Sequence, residues 1–132
     1  MTKTSSNVST TPGTPIQSKI EAAMKRFHEE ERWESIFLFS SEGLLMASQR
    51  TSTAYGEENL LEFAFSLISM IRLLEDDIPV KEITVRGRNR KTLLFRYFDA
   101  LGDDLVLAAV VSGKKGYRRA LGKLVKLIRS FS

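Results

Sequence analysis

Few residues of this chain are of a type that does covalent or metal chemistry. Its 132 residues hold one histidine, His28, and no cysteine. Without a thiol there is no cysteine nucleophile, no thiolate metal site and no structural disulfide, a composition suited to a reducing compartment. A serine–histidine–acid triad or a histidine-based metal cluster has to be built around His28. Its setting, Phe27-His28-Glu29-Glu30-Glu31-Arg32, is a charged helical run that predicts a solvated imidazole. Paired carboxylates, the raw material of acid–base catalysis, occur at Asp76-Asp77 and Asp103-Asp104. Adjacent acids on surface turns with no pocket-lining partner read as solubilising turn residues. Gly113-Lys114-Lys115-Gly116 precedes the last helix and has the makings of an anion cradle. It lacks the length and the Gly-Lys-Ser/Thr ending of a nucleotide-binding loop, and reads as a glycine-bounded turn. The residues thus predict no catalytic site, no metal and no cofactor: a non-enzyme that works by binding other proteins.

Composition supports one domain with a real core, since 42% of the residues are apolar and eight are Phe. The net charge of +4 is modest beside 16 acidic groups, so it permits an acidic partner without demanding nucleic acid. The longest apolar stretch, Leu60 to Leu74, is interrupted by Glu62, Ser66, Ser69 and Arg72, which argues against a membrane span. Met1 to Gly13 is Ser/Thr-rich with no apolar h-region, and is expected to be a disordered tail ahead of a single domain over residues 14–132. The location expected is cytoplasmic.

Helix one is predicted from Pro15 to about Arg32. Thr14 and Gln17 suit a capping box, and Ile16, Ile20, Ala23, Met24 and Phe27 follow at helical spacing. Ser35 to Ser40 and Leu44 to Gln49 read as a hairpin around Ser41-Glu42-Gly43. Helix two spans roughly Glu57 to Asp76, stopped by Pro79. Strands follow at Val80 to Arg86, Thr92 to Asp99 and Leu105 to Ser112, then helix three from Tyr117. The first, fourth and fifth strands are apolar on both faces; the second and third are half polar and belong at edges. With hairpin neighbours kept adjacent, the expected fold is an α/β (α+β) sandwich. Its five-stranded, mostly antiparallel sheet has the order 2-1-5-4-3, with helix two on one face and helices one and three on the other.

The segment Ile36-Phe37-Leu38-Phe39-Ser40-Ser41-Glu42-Gly43-Leu44-Leu45-Met46-Ala47-Ser48 resembles the opening hairpin of the roadblock / dynein light chain domain. Gly102-Asp103-Asp104-Leu105-Val106-Leu107-Ala108-Ala109-Val110 is similar to that family's turn into its last strand. The resemblance runs from about Ile16 to Phe131; the Ser/Thr-rich tail and the arginine-rich hairpin depart from it. It implies a profilin-like architecture, homodimers formed by pairing third strands and packing second helices, and a role beside Ras-like small GTPases or motor complexes.

The residues of helix two point the same way. Plotted at 100° per residue, its apolar arc spans roughly 220°, against the 100° or somewhat more that a sheet-covering helix needs. Leu61, Phe65 and Ile68 lie to one side of the arc's centre, Phe63 and Met70 to the other. The surplus is expected to be buried in a homodimer, with Leu61, Phe65, Ile68 and Arg72 from helix two and Lys81, Glu82, Ile83, Thr84 and Val85 from the open third strand. Lys81 and Glu82 are expected to answer one another across the two-fold axis. Phe65→Glu or Ile68→Glu is then expected to break the dimer by burying an unpaired charge. Candidates for meeting a GTPase or a multi-protein complex are Arg50, Tyr55, Glu58 and Glu62, with Arg86, Arg88 and Arg90 of the basic hairpin. The rival reading uses that hairpin and the basic face of helix three to bind nucleic acid or an anionic surface. Two features argue against it: the aromatics Phe95, Tyr97 and Phe98 are consumed by burial, and the apolar stripe of helix three is wanted by the sheet.

Overall fold

The computed structural model describes residues 15–51, 57–74, 76–113 and 116–131. The tail and Thr14 lie outside them. Helix α1 runs Pro15–Glu31 and buries Ile20, Ala23 and Met24. Arg32, at φ 56, turns the chain out of the helix. Trp33 is then buried with its ring centroid 6.3 Å from that of Phe27.

Strands β1 (Ser35–Ser40) and β2 (Leu45–Arg50) form the first hairpin. Its turn is closed by Ser40 N–H donating to Leu44 O at 2.9 Å, and Ser40 Oγ accepts from the N–H groups of Glu42 and Leu44. Helix α2 covers Glu57–Leu74. It ends before Pro79 is reached, because the N–H groups of Asp77 and Ile78 both fold back onto Leu74 O. Strands β3 (Glu82–Arg86), β4 (Lys91–Ala100) and β5 (Asp103–Ser112) and helix α3 (Tyr117–Arg129) complete the chain. The ladder between β4 and β5 extends to Ala100↔Asp103, further than the apolar runs suggest. Leu101 and Gly102 make this possible: both take positive φ, the two-residue geometry that matches strand twist.

The sheet order is β2-β1-β5-β4-β3, as expected, and every neighbouring pair is antiparallel. Alternation along each strand splits the core in two. Ile36, Leu38, Leu94, Phe98, Leu105 and Leu107 meet α1 and α3 on one face. Phe37, Phe39, Phe95, Val106 and Ala108 meet Ala64 and Ile68 of α2 on the other. The central strands are buried on both faces because both are roofed by helices. Among the described residues, no helix is long and apolar enough to cross a membrane.

Candidate partner-binding surface

Among the described residues, strand β3 pairs only with β4, and its other side is an open edge. The phase of that pairing determines which backbone groups point outward. Tyr97 N–H donates to Lys81 O at 2.8 Å, and Gly87 N–H donates to Lys91 O at 2.8 Å. The register between them is unbroken, from Glu82↔Arg96 to Arg86↔Thr92. Residues of an antiparallel strand alternate in the side to which they direct N–H and C=O. Lys81, Ile83, Val85 and Gly87 therefore address β4, while Glu82, Thr84 and Arg86 present theirs to the open edge.

Beside this edge lies an unusually apolar flank. Phe63, Met70, Leu74, Ile78 and Val85 are exposed, and Met70 keeps 60% of its surface. Leu67, Met70, Leu74, Ile78, Lys81 and Ile83 line a cleft of ≈ 560 Å³ between α2 and β3. Phe63 leans on the sheet through Phe95, with ring centroids 5.9 Å apart.

Several of the expected interface residues lie elsewhere. Ile68 is only 6% exposed and packs into the cluster of Phe37, Phe39 and Phe95, so it belongs to the core of its own subunit. Phe65 is exposed, but on the flank of α2 that overhangs the first hairpin at Gly43, away from β3. Arg72 is on that same side, its Nη2 donating to Ser41 O at 2.8 Å. The side chain of Leu61 lies outside the described residues. Ile83, Thr84 and Val85 do stand on the open edge, with Ile83 half-buried under α2. Lys81 and Glu82 cannot face each other directly across a two-fold axis, because adjacent residues of a strand project to opposite faces. The Glu82 carboxylate is moreover held within its own subunit: Oε1 accepts from Arg96 Nη2 at 2.6 Å and Nε at 3.1 Å, and Oε2 lies 3.3 Å from Arg118 Nε. Periodicity along α2 indicated Met70 as a flank residue, but nothing in the local pattern indicated Leu74 or Ile78 as surface, or Arg96 and Arg118 as partners of Glu82.

The candidate partner-binding residues do not form one patch. Glu62 is exposed on the outer face of α2; Tyr55 and the side chain of Glu58 lie outside the described residues. Arg50 and the arginine hairpin share one end of the sheet but sit on opposite edges. They are about 19 Å apart, counting four inter-strand spacings. Arg86, Arg88 and Arg90 are all exposed. Arg86, Arg90, Lys91 and Arg118 line an open groove of ≈ 630 Å³ with Gly116 and Tyr117. Two of these cations already have acids: Lys91 Nζ is 2.9 Å from Glu34 Oε2, and Arg118 is on Glu82.

Among the described residues, three buried side-chain atoms have no hydrogen-bond partner: His28 Nε2, Ser35 Oγ and Tyr97 Oη. His28 is half-buried and its Nε2 is shielded from solvent, so the imidazole is less exposed than its charged neighbours suggested. Tyr97 Oη is likewise shielded and unpartnered, and burial pushes its pKa up from 10.0 to about 12. Among the described residues no three of His, Cys, Asp and Glu gather to hold a metal ion.

No protein-family model and no curated protein sequence matches the chain. Solved structures do. MglB of Myxococcus xanthus superposes with a TM-score of 0.74 at 15% identity, over 89% of this chain and 90% of that one. The gliding protein MglB of Thermus thermophilus gives a TM-score of 0.70 at 12% identity, over 89% and 91%. A roadblock/LC7 domain from Streptomyces avermitilis gives 0.59 at 14%, over 83% and 92%. The chain has the roadblock/LC7 fold.

Proposed function

We propose that this chain is a non-catalytic protein-binding scaffold that acts as a homodimer and regulates a Ras-like small GTPase in a cytoplasmic polarity, motility or trafficking complex. One observation carries the proposal: within a roadblock/LC7 fold, an unpaired strand edge adjoins an exposed apolar flank of α2. A lone subunit leaves Met70, Leu74 and Ile78 in water. Burying them against a second copy returns roughly 25 cal/mol per Å² of apolar surface covered. The likeness to a gliding protein supports a motility setting.

Two measurements test the reading. Light scattering of the purified chain is expected to return the mass of two copies. Affinity capture is expected to retain a Ras-like GTPase, whose hydrolysis rate with and without the chain then separates stimulation from scaffolding. A monomer at micromolar concentration, or a dimer that retains no GTPase, overturns it.

The basic groove beside Arg86, Arg90 and Arg118 favours a second reading, an anionic surface or nucleic acid bound there. Retention on DNA that falls steeply with salt supports that alternative.

A further inference from the structure

The groove between the β3–β4 hairpin and the start of α3 is lined by cations, hydroxyls and glycines. Arg86, Arg90, Lys91 and Arg118 bring charge, Thr92 and Tyr117 bring hydroxyls, and among the described residues no acid lines it. Taking as given the second reading above, that this groove binds anions, we infer that its ligand is a small phosphorylated molecule. Its phosphate is held by Arg86 and Arg90 on one wall and by Arg118 and the N-terminus of α3 on the other.

Charge balance selects a phosphate. Lys91 is answered by Glu34, and Arg118 shares Glu82 with Arg96. Among the described residues no acid pairs with the guanidinium of Arg86 or of Arg90. Two of the four lining cations are therefore uncompensated. Gly116 caps α3 without a side-chain hydrogen bond, and it lines the groove, so the positive end of this 13-residue helix opens onto the same space. A phosphate monoester carries a charge of about −1.5 to −2 near neutral pH and three strong acceptor oxygens. That charge matches two free guanidiniums, and the arginine fork fits two phosphate oxygens at once.

The backbone joins the two walls. Arg90 O accepts from Gly113 N–H at 3.1 Å, which ties the hairpin to the segment leading into α3. Arg90 stands at φ 68, in the left-handed region that glycine occupies without strain. A large cation is thus kept at a turn position where its backbone is unfavourable, and its side chain lines the groove.

Size and lining select a small molecule over a polymer or a bilayer. The volume of ≈ 630 Å³ falls within the roughly 300–1,000 Å³ of small-ligand sites. Single-stranded nucleic acid is held by successive aromatic platforms, and a bilayer surface by apolar side chains that insert into it. Among the described lining residues Tyr117 is the one aromatic, and none is aliphatic. Arg86 is opposite Thr92 in the ladder, and alternation from Leu94 puts both on the sheet face that α3 covers, away from α2. Occupancy of the groove is therefore independent of the homodimer.

Calorimetric titration of the full chain with inorganic pyrophosphate tests the site. One saturable event per chain is expected. Arg86→Gln and Arg90→Gln are each expected to weaken it on the order of tenfold. Arg88→Gln, at an exposed arginine of the same turn that does not line the groove, is expected to leave it unchanged. Arg90→Gly is expected to hold or raise the thermal midpoint while weakening binding as Arg90→Gln does, which separates loss of the site from loss of the fold. No saturable binding at millimolar pyrophosphate, or an Arg88→Gln effect equal to that of Arg86→Gln, overturns the inference. If pyrophosphate fails to bind while DNA or anionic vesicles are retained and Arg86→Gln releases them, the small ligand is wrong and the anionic reading of the groove stands. If none of the three probes binds, both fall.

Discussion

The Phe65 ring closes over Gly43: a Cβ built on that glycine meets Phe65 Cδ1 at 2.6 Å. Gly43 also holds φ at +85, where an L side chain is strained. Gly43→Ala is therefore expected to lower stability by about 1–2 kcal/mol from backbone strain, with an added part from displacing the ring. Urea denaturation of Gly43→Ala with and without Phe65→Ala separates the two. The double variant recovers only the ring's part, and full recovery would mean that the backbone carries no strain.

Neighbouring positions on α2 are expected to part company. Ile68→Glu buries a charge against Phe37, Phe39 and Phe95, and is expected to unfold the chain. Met70→Glu alters an exposed side chain and is expected to keep native circular dichroism while lowering the mass seen by light scattering. A folded Ile68→Glu protein would contradict the core assignment. A dimer unmoved by Met70→Glu would contradict the flank.

Tyr97 predicts a loss of stability at alkaline pH. Burial raises its folded-state pKa to about 12, while the unfolded chain ionises near 10.0. The neutral phenol's contribution is intact below pH 10.0, falls as pH rises from there toward about 12, and loses nothing further above. The difference in denaturation midpoint between the wild type and Tyr97→Phe is expected to change over that window alone. At neutral pH, Tyr97→Phe is expected to equal or exceed the wild type, because the hydroxyl it removes has no partner. A large loss there would reveal a hydrogen bond to that hydroxyl.

Arg32 leaves α1 at φ 56 with an exposed side chain, a position that glycine fills without strain. Arg32→Gly is expected to stabilise the fold by roughly 0.5–1 kcal/mol, read as a higher thermal midpoint. A lower midpoint would show that the arginine side chain contributes more than its backbone strain costs.

The strand order was legible because it depends on a local property, whether one face of a strand or both are apolar. Ile36–Phe39 and Leu105–Val111 are apolar throughout and lie at the centre; Glu82–Arg86 alternates and lies at an edge. The candidate surface was legible only in part. Ile83, Thr84 and Val85 follow from the edge strand, whereas Ile68 lies in the core and Phe65 stands on the flank of α2 away from β3. Periodicity establishes the angles between residues on a helix but not the helix's rotation about its own axis.

The sequence by itself determined the element order, the antiparallel sheet, the two layers of helix and an excess of apolar surface on α2, all of which follow from local periodicity and amphipathic balance. Tertiary structure alone decided which side of α2 turns inward, and it brought Glu82 to Arg96 and Arg118. The α2 rotation depends on how Ala64 and Ile68 fit Phe37, Phe39 and Phe95, and the ion pairs on a strand register and on α3 crossing beside β3. These are contacts between residues far apart in the chain, and no local pattern encodes them.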